Sequence, residues 1–186
     1  MRGIVEEAGE VLASLQEHYQ DIKALSGGNT KIQENLSEAQ QNTILLELGD
    51  LLWYITAFSM KIGAAPVSST DLSFKPTPPK EEQTSRDTAV DKRQAHLQIA
   101  IGLAIRLLTT AAGLSGRIKK VLRGDKSLSD FLPGITRRRN ELLQDAALLS
   151  IQIKEGTTLA QVAAMNVQKL SARINKTTVR GDGNRK

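Results

Sequence analysis

No cysteine occurs in the chain, and histidine occurs only twice, at positions 18 and 96. The first absence excludes a disulfide-stapled fold, a zinc–thiolate site and a cysteine nucleophile. The second argues against a metal centre built from histidines. Aromatic residues make up 3% of the sequence, too few to interleave with basic residues as a base-stacking platform, so nucleic acid is a disfavoured partner. No uninterrupted apolar run approaches the ~18–20 residues of a membrane span, and Met1 is not followed by a signal-peptide pattern. A soluble, cytoplasmic protein with no membrane partner is expected.

What the chain does contain is enough apolar material, 40% of 186 residues, to bury a core in one domain or two small ones. Its net charge of +5 conceals a polarity. Residues 1–86 carry seven Lys/Arg against twelve Asp/Glu, a net of −5, and residues 87–186 carry 18 against 8, a net of +10. A uniformly basic nucleic-acid binder would not have an acidic half. Acid in one half and base in the other suits a metal-bound polyphosphate equally well.

Helical periodicity dominates. Ile4, Val5, Ala8, Val11, Leu12 and Leu15 recur at spacings of three and four and predict an amphipathic helix over residues 3–18. Gly27, Gly28 and Asn29 interrupt it. Residues 43–62 are nearly apolar all round, as expected of a helix inside a bundle. Residues 64–93 hold Pro66, Pro76, Pro78 and Pro79 among polar side chains and read as a linker. Periodicity resumes at Gln94 and runs to about Leu122. A loop bracketed by Gly124-Asp125 and Pro133-Gly134 follows, with Leu128, Phe131 and Leu132 inside it. A helix from about Arg137 to Lys154 stops at Gly156. Thr158 caps a last helix whose shared face is Leu159, Val162, Ala163, Val167 and Leu170. No segment alternates with period two, so the fold class is all-α.

The two halves look alike. EEAGEVLASL and LLELGDLL, ending in KIG, are followed in the second half by GLSGRIKKVL and NELLQDAALL, ending in KEG. This suggests two diverged copies of one helical hairpin: residues 1–63, the linker 64–93, and residues 94–186.

The chemistry concentrates in four acids. Glu7 and Glu10 are three apart on one helix, and Glu47 and Asp50 three apart on another, so each pair shares a face. If the helices pack antiparallel, the four carboxylates converge, repel one another and raise each other's pKa values. Divalent cations resolve that conflict, and an all-oxygen set favours Mg²⁺ or Mn²⁺ over Zn²⁺. A Glu pair on a helix is most often a solvated face, and Glu6 reads that way. Glu47 and Asp50 are different, because they interrupt the most apolar stretch of the first half.

E-E-A-G-E at 6–10 and E-L-G-D-L-L-W-Y at 47–54 resemble the two signature helices of the MazG-like all-α nucleoside triphosphate pyrophosphatases. The resemblance implies that Glu7, Glu10, Glu47 and Asp50 bind Mg²⁺ and serve catalysis. LAQVAAMNVQKLSARI resembles the family's closing helix, which makes Asn166, Lys169 and Arg173 substrate-binding candidates. RGDGNR at 180–185 resembles a glycine-rich tail found in some members and adds Arg185. The implied activity is Mg²⁺-dependent hydrolysis of a (deoxy)nucleoside triphosphate to monophosphate and pyrophosphate. The implied architecture is an internal pseudo-dimer, with a homodimer as a further option.

There are departures from the family pattern. The chain begins almost at the first motif, and the stretch between the motifs is longer than usual. The second copy places Leu114 and Arg117 where Glu7 and Glu10 stand. At the positions of Glu47 and Asp50 it has either Leu142 with Asp145 or Asn140 with Leu143. That copy keeps the scaffold without the four acids.

Lys169 and Arg173, four apart, share a helix face and can reach one anion together. Trp53 and Tyr54 can stack on a base, although aromatics beside Leu51 and Leu52 more often pack in a core. Arg137, Arg138 and Arg139 form a basic run of the kind that is usually solvated. Two readings compete with the enzyme: an inactive nucleotide-binding protein of the same fold, and a basic helical module that binds nucleic acid.

Overall fold

The computed structural model describes residues 2–25, 36–64, 67–72 and 89–175. Among them, five long helices and one single turn account for the secondary structure: α1 (Arg2–Leu25), α2 (Glu38–Lys61), α3 (Ser69–Leu72), α4 (Ala89–Leu122), α5 (Leu128–Ile153) and α6 (Leu159–Asn175). No strand occurs among the described residues. The fold class is all-α.

Helices α2, α5 and α6 begin where a side chain satisfies free N–H groups. Ser37 caps α2 in a reciprocal box with Gln40: Gln40 N donates to Ser37 Oγ at 3.3 Å, and Ser37 N donates to Gln40 Oε1 at 2.9 Å. Thr158 and Gln161 repeat that box at the start of α6, at 2.8 and 3.3 Å. Helix α5 ends at Ile153, and Gly156 follows with φ 77°, a left-handed conformation that only glycine adopts cheaply.

The helices close into a ring. Helix α1 packs on α2 and α4, α4 on α5, and α5 on α2; α6 then lies against α2 and α5. Contacts fix the directions. Gly3 meets Tyr54, Glu10 meets Glu47 and His18 meets Gln40, so α1 and α2 run antiparallel. Arg117 meets Phe131 and Arg106 meets Asp145, so α4 and α5 do too. The core between them holds Ile4, Ala8, Val11 and Leu15 of α1, Ile44, Leu48, Leu51 and Ile55 of α2, Leu107 and Leu114 of α4, and Leu142 and Leu149 of α5. The spacing of three and four in the α1 and α2 sets, and of seven in the other two, puts each set on one helix face.

Several expectations are corrected. The loop expected between Gly124 and Gly134 is helix from Leu128 onward, with Pro133 inside α5. Ser127 caps this start, accepting from Asp130 N at 3.2 Å, and Pro133 at the sixth position removes one intrahelical bond without ending the helix. Helix α4 begins at Ala89, within the segment assigned to the linker, and α3 forms a single turn there, packed against α6. Its Asp71 accepts from Ser68 N at 2.8 Å, and that bond holds the carboxyl below its usual range. Pro66, Pro76, Pro78 and Pro79 lie outside the described residues.

Helix α2 is not enclosed on every side, since Trp53 and Met60 are exposed. On α6 the inward face is Leu159, Val162 and Asn166, while Val167 is exposed. By length and composition, Glu38–Lys61 and His96–Leu122 could each cross a membrane. In this fold, 50% and 39% of an apolar 18-residue stretch of each are buried inside the protein.

Pro133 is exposed, and its ring denies the Ser129 carbonyl an amide donor. Pro133→Ala should therefore raise the stability of the protein by about 1–2 kcal/mol. Urea unfolding checks this, and an unchanged or lower midpoint would show that α5 does not begin at Leu128.

Candidate metal and polyphosphate site

The antiparallel packing of α1 on α2 determines where the acids go. Glu7, Glu10 and Glu47 each offer a carboxylate oxygen, and these oxygens lie within 4.8 Å of one another. It is the sole cluster of this kind among the described residues. Glu7 and Glu47 are half-buried and Glu10 is exposed, so the group sits at the rim of the bundle rather than inside it.

The cluster is electrostatically strained as it stands. Burial, followed by repulsion from Glu10, Asp50 and Glu47, raises the pKa of Glu7 from 4.5 to about 7. Burial also raises Glu47, and the Lys169 ammonium opposes this in part; Asp50, Glu10 and a hydrogen bond with Glu10 add to the rise. Oxygens bound octahedrally at about 2.1 Å from Mg²⁺ stand roughly 3.0–4.2 Å apart. A group that already lies within 4.8 Å needs only a small contraction to fit such an ion, and an all-carboxylate donor set suits it.

Asp50 does not complete the set as a fourth equal member. Helix α6 holds its two oxygens: Asn166 Nδ2 donates to Oδ1 at 2.8 Å, and Lys169 Nζ donates to Oδ2. These bonds join residues more than a hundred positions apart and bring a cation beside the acids. Asn166 is buried, and its Oδ1 has no hydrogen-bond partner. A buried amide oxygen left open beside carboxylates is costly unless a cation or a water completes it.

Gly49 is why α6 can come this close, a role that inspection of the sequence missed. A Cβ at position 49 would stand 2.8 Å from Asn166 Cβ and 3.2 Å from the Val162 carbonyl oxygen. A glycine inside an apolar helix costs about 1 kcal/mol against alanine, and that anomaly between Glu47 and Asp50 was the available signal. Gly3 serves similarly on α1, where a Cβ would fall 2.3 Å from the Tyr54 ring. At the far end of the pair, buried His18 accepts from Gln40 Nε2 through Nδ1 at 2.9 Å.

The remaining candidates are distributed differently from expectation. Trp53 is 52% exposed, not a core residue, and meets Tyr54 edge to face at 5.0 Å. It lies three residues beyond Asp50 on the strip of α2 that the bundle leaves open. Arg173 is exposed one turn beyond Lys169, and Lys169 turns onto Asp50 rather than outward beside it. Arg185 lies outside the described residues. Of the basic run, Arg137 and Arg138 pair with Glu141 at 3.2 and 3.0 Å, whereas Arg139 is buried and donates to Asn140 Oδ1.

Among the described residues of the second half, no comparable group of acids forms. Leu114 is in the core, Arg117 lies over the Phe131 ring at 5.9 Å, and buried Asp145 accepts from Arg106 at 2.7 Å. Burial raises the pKa of Asp145, and the Arg106 charge opposes that rise. No family model matches the chain, and neither a curated protein nor a solved structure matches it.

Because the pKa of Glu7 is raised on folding, the folded state binds its proton more tightly than the unfolded state does. The metal-free protein should therefore lose stability as pH rises from about 4.5 to about 7. Thermal melting should show this decline, and Glu7→Gln should flatten it. Gly49→Ala should cost about 1–3 kcal/mol despite its better helix propensity, because α6 must shift. In NMR spectra, the Asn166 side-chain amide should then lose its hydrogen-bonded shift.

Proposed function

We propose that this chain is a Mg²⁺-dependent pyrophosphohydrolase of (deoxy)nucleoside triphosphates, of the MazG-like all-α kind. The observation that carries the reading is the meeting of three carboxylates from α1 and α2 with a lysine and an asparagine from α6. Acids that gather to within 4.8 Å at the rim of a bundle, at a cost in repulsion, suit a divalent ion better than a solvated surface. A cation on the adjacent helix suits the polyphosphate that such an ion accompanies.

In this reading Glu7, Glu10 and Glu47 hold the ion, and Asp50 keeps α6 in register and lends its charge to the group. Bound Mg²⁺ supplies Lewis-acid polarisation of the phosphoryl oxygens. Lys169 meets the phosphate chain, and Arg173, one turn on, extends the basic face along it. Water attacks the α-phosphorus in line; its oxygen forms the new P–O bond as the bond to the bridging oxygen breaks. Pyrophosphate leaves, and a carboxylate of the group accepts the proton of the attacking water. Exposed Trp53 offers a face on which a base can stack. The second helical pair is a degenerate copy in this reading, with Arg106 answering Asp145 where the first pair gathers acids.

The test is pyrophosphate release from a panel of canonical dNTPs and NTPs, with Mg²⁺ and with EDTA. Release should require the metal and fall at least about 100-fold in Glu47→Gln. Metal-dependent nucleotide binding without release would identify an inactive binder. Neither release nor binding would remove the carboxylate site from consideration.

A further inference from the structure

Both oxygens of Asp50 accept a hydrogen bond from α6. Lys169 holds one oxygen and Asn166 the other, and the Lys169 and Asp50 side chains are only 18% and 22% exposed. The ammonium is thus the cation that stands beside four acids of the first half, and its field opposes the raised pKa values of Glu7 and Glu47. Asn166 is 3% exposed, and its Oδ1 has no partner. The site therefore presents an acceptor that its present occupants do not use.

We propose, building on the metal-dependent reading above, that Lys169 is an exchangeable counter-cation of the carboxylate site. Its ammonium holds Asp50 while the site lacks a divalent ion, and moves to the polyphosphate once the ion is bound. The argument is one of charge and reach. A divalent ion among Glu7, Glu10 and Glu47 cuts the net charge of the four acids from −4 to −2, so the ammonium is held less strongly at Asp50. A polyphosphate brings the negative charge that receives it. Lysine suits the exchange because its charge is compact, its donors rotate and its four-carbon stem is flexible, whereas the planar fork of arginine would fix a bidentate pair. The exchange sets lysine and metal against each other electrostatically, as two cations answering the same group of acids. It also couples the metal to the polyphosphate, since whichever binds first releases Lys169 toward the other arrangement, and such coupling is reciprocal.

Titration of Mn²⁺ alone into the full-length, metal-free protein, followed by electron paramagnetic resonance, tests this. Lys169→Met should bind Mn²⁺ more tightly than wild type, by about tenfold, because one opposing charge a few ångströms away is removed. It should bind the preformed Mn²⁺–tripolyphosphate complex at least about tenfold more weakly. Lys169→Arg should not gain affinity for Mn²⁺. A lysine that merely pinned α6 would give the opposite sign, because its loss would loosen the site. Equal or weaker Mn²⁺ binding by a folded Lys169→Met overturns the exchange. In wild type, the Lys169 Nζ resonance should shift on saturation with Mg²⁺, and an unmoved resonance in a protein that binds Mg²⁺ also overturns it. The two readings fail separately: Mn²⁺ binding without these changes removes the exchange alone, and absence of Mn²⁺ binding in wild type and variant removes the metal reading with it.

Discussion

Like charges brought together between two antiparallel helices must be compensated, and the arrangement around the acids follows from that requirement. Glu7 and Glu10 face Glu47 because α1 and α2 pack through leucines, valines and isoleucines one turn to either side. The apolar core therefore imposes the repulsion, and the helices cannot relieve it by turning without exposing that core. Compensation comes from elsewhere in the chain. Helix α6 delivers Lys169 to Asp50, and Gly49 clears the space through which α6 approaches. Core, charge cluster and closing helix are thus linked through the short stretch Glu47–Asp50.

The second helical pair solves a related problem by other means. Asp145 is buried as deeply as a core leucine, yet it has Arg106 at 2.7 Å, and the guanidinium extends to water. A single buried carboxylate can be answered by a single arginine, whereas three carboxylates with a fourth beside them cannot. The contrast bears on the uneven charge of the two halves, −5 and +10, at these two places. Four of the twelve acids of the first half gather at one place, and the second half supplies Lys169 against them.

Much of this was legible in the sequence because helices declare themselves through spacing. Residues 3–18 and 43–62, and the two acid pairs on them, follow directly from intervals of three and four. Asn166 and Lys169 were reached only through the resemblance of the closing helix, since nothing local says that a polar residue at 166 faces inward. Periodicity there favoured Val167, which is exposed. Pro133 misled because a proline's effect depends on its distance from a capped helix start, which is decided by Ser127. Trp53 misled because an apolar helix need not be surrounded, and which strip stays open depends on where α6 crosses. Gly49 could have been questioned, but the partner that requires it lies 117 residues away and is visible only once the chain is folded.

The register of α1 on α2 is fixed at three places: Gly3 under the Tyr54 ring, Glu10 at Glu47, and His18 at Gln40. At 1.5 Å and about 100° per residue, one inserted or deleted residue between Glu10 and His18 would turn one end of the helix by over a quarter-turn relative to the other. The carboxylates or the histidine would then leave the interface, together with the leucines beside them. A change of four residues would leave the two ends about 40° out of line, and one of seven, close to two whole turns, about 20°. The ruler that sets the spacing of the acids is thus the helix itself, and this part of the chain can change its letters more freely than its length.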